Sequence, residues 1–219
     1  MSQQGGPSPQ TVEDALARRL EVRGGAGSGW SERLRELGAI DRAVYHAVAD
    51  TPTPRLDGAF RRLSTAANRS GLWLVIAAGM ALFGGDRGRR AALDGVVAIG
   101  VTSATVNLGI KPLARRRRPA RVEPARFEGR YVPMPASTSF PSGHAASAFA
   151  FATAISGELP AAALPIGLLA AAVGYSRVHA GVHYPGDVLI GSIIGGGTAA
   201  GVSASLALRR RSPAQHSSG

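Results

Sequence analysis

Apolar positions along this chain change their spacing twice. Between Leu34 and Arg62 they are amphipathic: Ile40, Val44, Tyr45 and Val48 recur at helical spacing, with Asp41, Arg42 and Asp50 between them. Pro52 and Pro54 interrupt the pattern, and a second short helix is predicted to carry Leu56, Phe60 and Leu63. From Gly71 the pattern becomes a series of apolar runs with few charges, Gly71–Gly85, Ala91–Ile110, His144–Ser156, Pro160–Tyr175 and Val188–Leu208. The run Ala91–Ile110 comes near the ~20 residues that a bilayer crossing requires. Leu113–Pro141 shows no periodicity and holds Pro119, Pro124, Pro133, Pro135 and Ser137–Ser139. A connection this long inside a compact domain is usually functional or disordered. Residues 1–30 are rich in Gly, Ser, Pro and Gln, with one polar helical patch at Val12–Val22. Glu13 and Asp14 stand where a secretory signal would be basic, so a mobile tail is expected there.

These runs predict an all-α fold, an integral-membrane helical bundle of about six core helices. The expected organisation is a flexible tail over 1–30, amphipathic helices packing on the bundle over 31–70, a core over 71–208, and a basic polar tail over 209–219. Composition sharpens this picture. Aromatics are only 5 % of the 219 residues while Gly numbers 29, so helices must approach through small side chains. Gly191, Gly195, Gly196 and Gly197 lie along one helix, where each costs up to ~1 kcal/mol against Ala in water; close helix contact in lipid offsets that. With no Cys, disulfide scaffolds and thiolate metal sites are excluded. The net charge of +11 comes almost wholly from arginine, Lys111 being the single lysine. That charge admits nucleic acid, anionic lipid or a phosphorylated substrate as partner.

Three clusters carry candidate chemistry. Lys111 to Arg118-Pro119 closes the Ala91–Ile110 helix, with Pro112 and Pro119 holding its cations on a turn. Pro141-Ser142-Gly143-His144 opens a helix, whose N-terminal N–H groups suit an anion. Ser176-Arg177 is followed by His183 and Asp187, four apart and within reach across one helical turn. A carboxylate beside an imidazole fixes its tautomer and stabilises the imidazolium. Alternating antiparallel helices would gather Lys111, Arg118, Ser142, His144, Arg177, His183 and Asp187 at one end of the bundle, a phosphate site with a nucleophile and an acid.

In order and spacing these motifs resemble the type 2 phosphatidic acid phosphatase superfamily, with its Lys-x6-Arg-Pro, Pro-Ser-Gly-His and Ser-Arg-x5-His-x3-Asp signatures. The resemblance covers about residues 71–208. It implies that His183 is the nucleophile, Asp187 its orienting partner, and His144 the acid and later the base. Lys111, Arg118, Arg177, Ser142 and Gly143 would bind the phosphoryl oxygens, with no metal or cofactor. His179 is expected to serve packing or the rim, and Arg115, Arg116 and Arg117 to attract an anionic substrate or cap the helix towards headgroups. The implied substrate is a membrane lipid phosphate: phosphatidic acid, phosphatidylglycerol phosphate or a polyprenyl diphosphate. Nucleic acid is not an expected partner, because no aromatic platform is interleaved with the basic residues. Arg87, Arg89, Arg90 and Arg209–Arg211 predict a cell-membrane protein whose opposite, active end faces away from the cytoplasm. Trp73, Tyr175 and Tyr184 are expected near headgroup depth. The competing readings are a vanadate-dependent haloperoxidase, a basic non-enzymatic lipid- or nucleic-acid-binding membrane protein, and a membrane pseudo-enzyme.

Overall fold

The computed structural model describes residues 29–121 and 128–211. The Val12–Val22 patch, Pro124 and the tail beyond residue 211 lie outside the described residues. Among those described, every regular element is helical: α1 (Trp30–Asp50), α2 (Pro54–Ala66), α3 (Gly71–Phe83), α4 (Gly85–Ala104), α5 (Gly143–Ser156), α6 (Pro160–His179) and α7 (Pro185–Arg211). The chain divides into two units, Met1–Ile40 and Asp41–Gly219. In the first, the described part is the opening of α1, where Trp30, Leu37 and Ile40 are exposed. The second holds the rest of α1 and the other six helices.

The punctuation of the sequence sets the helix starts. Proline begins α2 and α6, where its missing N–H costs nothing and its fixed φ suits the first turn. Ser142 caps α5, its side chain accepting from Ala145 N. Helix α4 starts at Gly85, six residues before the expected Ala91, because Gly85 takes φ +58° and turns the chain back sharply after α3. Asp86, Arg87, Arg89 and Arg90 thereby fall in the first turns of α4.

Helix α5 is central. Nine of its fourteen residues are buried, spread round all its faces, and it packs against α4, α6 and α7. A helix enclosed on every side must be apolar all round, and here it must also be thin, hence the alanines. A Cβ on Gly191 would stand 2.5 Å from Ser142 O, and one on Gly195 would stand 2.1 Å from Ala146 O. Those two glycines let the α7 backbone touch the start of α5, which is the close approach expected of the glycine stripe. Gly196 and Gly197 meet no such constraint.

Three helical stretches are long and apolar enough to cross a bilayer: Gly85–Ile110, Pro160–His179 and Pro185–Arg210. A fourth span arises if Pro54–Ala66 and Asn68–Phe83, bent by 64° at the break between them, count as one. Their outward faces are apolar; Val75, Phe83 and Leu164 are each more than 70 % exposed. Such a belt suits hydrocarbon and would be a liability in water. Trp73 departs from expectation. It is fully buried, packed on Phe151 with ring centroids 5.5 Å apart, so it fills the core between helices and marks no headgroup depth.

Candidate active site

The motif residues are delivered by three helix ends. At the C-terminus of α4 the last turn widens into a π-helical turn, Thr105–Ile110, in which Lys111 N donates to Val106 O at 2.9 Å. π-Turns often accompany functional sites because they re-aim the side chains that follow. Ser103, Asn107 and Lys111 all line one cavity of about 210 Å³. The same cavity is bordered by Arg118, by Gly143 and His144 from the first turn of α5, and by His183 from the α6–α7 turn. Both histidines therefore open onto one space.

His183 is 2 % exposed and held from both sides. Its Nε2 lies 3.0 Å from Arg118 Nη1. Arginine can only donate, so Nε2 carries the lone pair and the ring proton sits on Nδ1. Nδ1 faces Asp187 Oδ2 at 3.5 Å. This contact is long because Oδ2 already accepts from the Ser139 hydroxyl and from Tyr184 N–H. Burial pushes the His183 pKa down to about 4; the Asp187 hydrogen bond opposes this, while Arg118 and Arg177 reinforce it. The imidazole is thus neutral at pH 7, with the Nε2 lone pair engaged by Arg118 beside the cavity that His183 lines.

His144 Nε2 meets Asn68 Oδ1 at 2.9 Å. Burial first, then Arg177, His183, Lys111 and Arg118, lower the His144 pKa to about 3. Arg177, Lys111 and Arg118 are cations at neutral pH, so an anion among them would relieve the repulsion and favour protonation. Lys111 is shifted down by burial and then by Arg118, and its Nζ lies 3.3 Å from Ser137 Oγ. Arg118 donates to the carbonyls of Ser137 and Val182, at 2.9 and 2.8 Å. Arg177 is buried, bonded to the Ser64 hydroxyl, and borders a second cavity that also reaches His144. Ser142 is buried as the helix cap, and its N–H donates to Asp187 O at 2.9 Å, tying the second motif to the third.

Some residues at the site carried no signal in the sequence. Arg116 Nη1 pairs with Asp187 Oδ1 at 2.9 Å and its Nη2 with Asp41 Oδ2 at 2.5 Å, so Arg116 supports Asp187 from behind and is spent on that pairing. In this extended stretch Arg115 and Arg117 are exposed while Arg116 and Arg118 turn inward, a split that four consecutive arginines do not mark in the sequence. Asn68, Arg69 and Ser70 come from the α2–α3 bend, far from any motif. His179 is a packing residue as expected, bonded to Thr53 Oγ1 at 2.9 Å and stacked near Phe60.

Comparison with known proteins shows the family and the fold. The profile described as PAP2 superfamily matches residues 91–211. The decaprenylphosphoryl-5-phosphoribose phosphatase of Mycolicibacterium smegmatis is 36 % identical over 163 residues, 74 % of this chain and 84 % of that protein. Proteins of the same name from two Mycobacterium tuberculosis strains are 41 % identical over 86 residues, and the match spans only 45 % of their length. In structure the chain is similar to a transmembrane PAP2-type phosphatidylglycerolphosphate phosphatase from Bacillus subtilis, with a TM-score of 0.63 and 25 % identity over 80 % of this chain and 89 % of that one. It is also similar to LpxE of Aquifex aeolicus, with a TM-score of 0.61 and 25 % identity over 74 % of this chain and 94 % of that one. These neighbours and the spanning helices make it a membrane protein, and its matched profile and long alignment to the M. smegmatis phosphatase show that the chain belongs to the PAP2 superfamily.

Proposed function

We propose that this chain hydrolyses a phosphomonoester or diphosphate on a membrane lipid through a phosphohistidine. The observation that carries the reading is that His144 and His183 border one cavity with Lys111 and Arg118, and that Asp187 stands behind His183. The His183 Nε2 lone pair attacks phosphorus as the bond to the leaving oxygen breaks. Asp187 accepts from Nδ1–H and stabilises the cationic ring that forms. His144, charged once the phosphate dianion has entered, protonates the leaving oxygen. In the second step it takes a proton from water, the oxygen attacks phosphorus, and His183 departs from inorganic phosphate. Lys111, Arg118 and Arg177 hold the equatorial oxygens as negative charge spreads. The Gly143 N–H adds a donor at the helix start, and Ser142 keeps that turn in register.

Support for a lipid substrate comes from the apolar belt and from the names of the relatives, which act on a polyprenylphosphoryl phosphoribose and on phosphatidylglycerol phosphate. The arginines at the end of the bundle away from the cavity favour a site on the extracytoplasmic face of the cell membrane. A reporter fused after Arg211 that is active only outside the cell would overturn that orientation. The central test is phosphate release by purified protein from a panel of lipid phosphates in the presence of EDTA. Release is expected to survive EDTA, to be inhibited by vanadate, and to vanish in H183A while the protein still folds. A phosphoprotein that is stable to alkali and labile to acid, trapped during turnover, reports the intermediate. A strict requirement for Mg²⁺ would sink the mechanism.

A further inference from the structure

Beyond His144 the phosphate cavity gives way to a second, larger one of about 620 Å³, lined by Asn68, Arg69, Val132, Pro133, Met134, Pro135, His144 and Arg177. His144, Arg69 and Pro135 border both spaces; His183, Lys111 and Arg118 border only the first. In-line phosphoryl transfer places the nucleophile and the leaving oxygen on opposite faces of phosphorus. With His183 attacking from one side and His144 protonating on the other, the group that leaves extends past His144 into the second cavity. The chemistry of that cavity is distinctive. It has Arg69, the amide of Asn68, an apolar wall and no acidic residue, with Arg177, assigned above to the phosphoryl oxygens, at its border. The Arg69 side chain is exposed at the bend and has no ion pair or hydrogen bond among the described residues. It is nevertheless held in a left-handed conformation, φ 50°, with Ser70 beside it at φ 61°. Such strain in residues other than glycine concentrates at ligand sites.

We infer that the second cavity binds the leaving group, and that Arg69 selects leaving groups which carry a phosphate anion of their own. The inference rests on the phosphatase reading above. A lipid diphosphate, or a phosphomonoester on a headgroup already joined to lipid by a phosphodiester, meets this requirement. Phosphatidic acid, whose leaving group is a neutral diacylglycerol, does not.

The test compares kcat/KM of the full chain, in detergent micelles, on dioleoyl phosphatidic acid, on phosphatidylglycerol phosphate and on farnesyl diphosphate. The unmodified protein is expected to favour the two anionic leaving groups. R69Q should lower that preference by about tenfold or more, the scale of one charge-assisted hydrogen bond, and R69K should restore part of it. M134E, which places a carboxylate in the second cavity alone, should erode the preference in the same direction. Residual turnover of phosphatidic acid by each variant reports that it has folded. Equal losses on all three substrates, or an unmodified protein that favours phosphatidic acid, overturn the inference and leave the phosphatase reading standing. Absence of phosphate release from every substrate by the unmodified protein overturns both.

Discussion

The two ends of the helical bundle treat arginine in opposite ways. At the end where α4 and α6 begin, Arg210 pairs with Asp94 at 2.6 Å and with Glu158 at 3.0 Å, and Arg90 pairs with Glu158 at 2.9 Å. Each of these guanidiniums has a carboxylate, and the cluster closes on itself. At the other end, about 30 Å away along a 20-residue helix, Lys111, Arg118 and Arg177 donate only to hydroxyls, carbonyls and an imidazole nitrogen. Acidic groups are present there too, but Asp187 and Asp41 are both taken by Arg116. The difference teaches how to recognise a site for an anion. Partly buried cations without counterions repel one another, and in the proposed reading an anionic substrate supplies the missing charge.

Four substitutions put that contrast under pressure. The largest effect belongs to H183A, which removes the nitrogen proposed to attack phosphorus. Phosphate release should fall roughly 10⁴-fold or more, and a variant that keeps more than a hundredth of the activity would mean that the two ends differ in charge but not in chemistry. R118Q should cost about 10²-fold in kcat, the scale of one lost transition-state donor. It should also raise the His183 pKa from about 4, because a neighbouring positive charge disappears; NMR titration of the imidazole measures this. The sign for stability follows. Between about 6.5 and 4 the unfolded chain takes up a proton at His183 that the folded chain refuses, so the protein loses stability as pH falls through that window. R118Q should narrow the window from its lower edge.

G195A tests the seam that joins the two ends. The new methyl would fall 2.1 Å from a backbone oxygen of α5, so α7 must shift, and a loss of about 2 kcal/mol in thermal or denaturant unfolding is expected. Smallest is R210A at the paired end. It strands the buried carboxylate of Asp94, and stability should drop by about 1 kcal/mol. Its turnover per folded molecule should stay within about twofold, since the cluster touches nothing that reacts. Equal damage to turnover by R210A and R118Q would erase the distinction between the ends.

Much of this arrangement was legible before any coordinates. The helix starts at Pro54, Ser142 and Pro160 follow from capping chemistry, and the Gly191–Gly195 stripe marks where two backbones touch. Local rules set these features, so local sequence reports them. The site was legible as three motifs, yet their division of labour was not. The run Arg115–Arg118 reads as four equal cations, but two side chains face outward, Arg116 is spent on Asp187 and Asp41, and only Arg118 reaches the cavity. Trp73 misled for a similar reason, because an aromatic near a helix end can face lipid headgroups or the core, and its neighbour Phe151 is 78 positions away.

The sequence by itself determined the helices, their small-residue packing and the motifs that hold the proposed reacting groups, since each depends on residues a few positions apart. Tertiary structure alone decided which cations keep their charge free, and it brought Asn68 and Arg69 from an unmarked bend to the side of His144. Pairing between charges depends on distance in space, and no spacing rule along the chain encodes the neighbour that a fold brings in from 76 residues away.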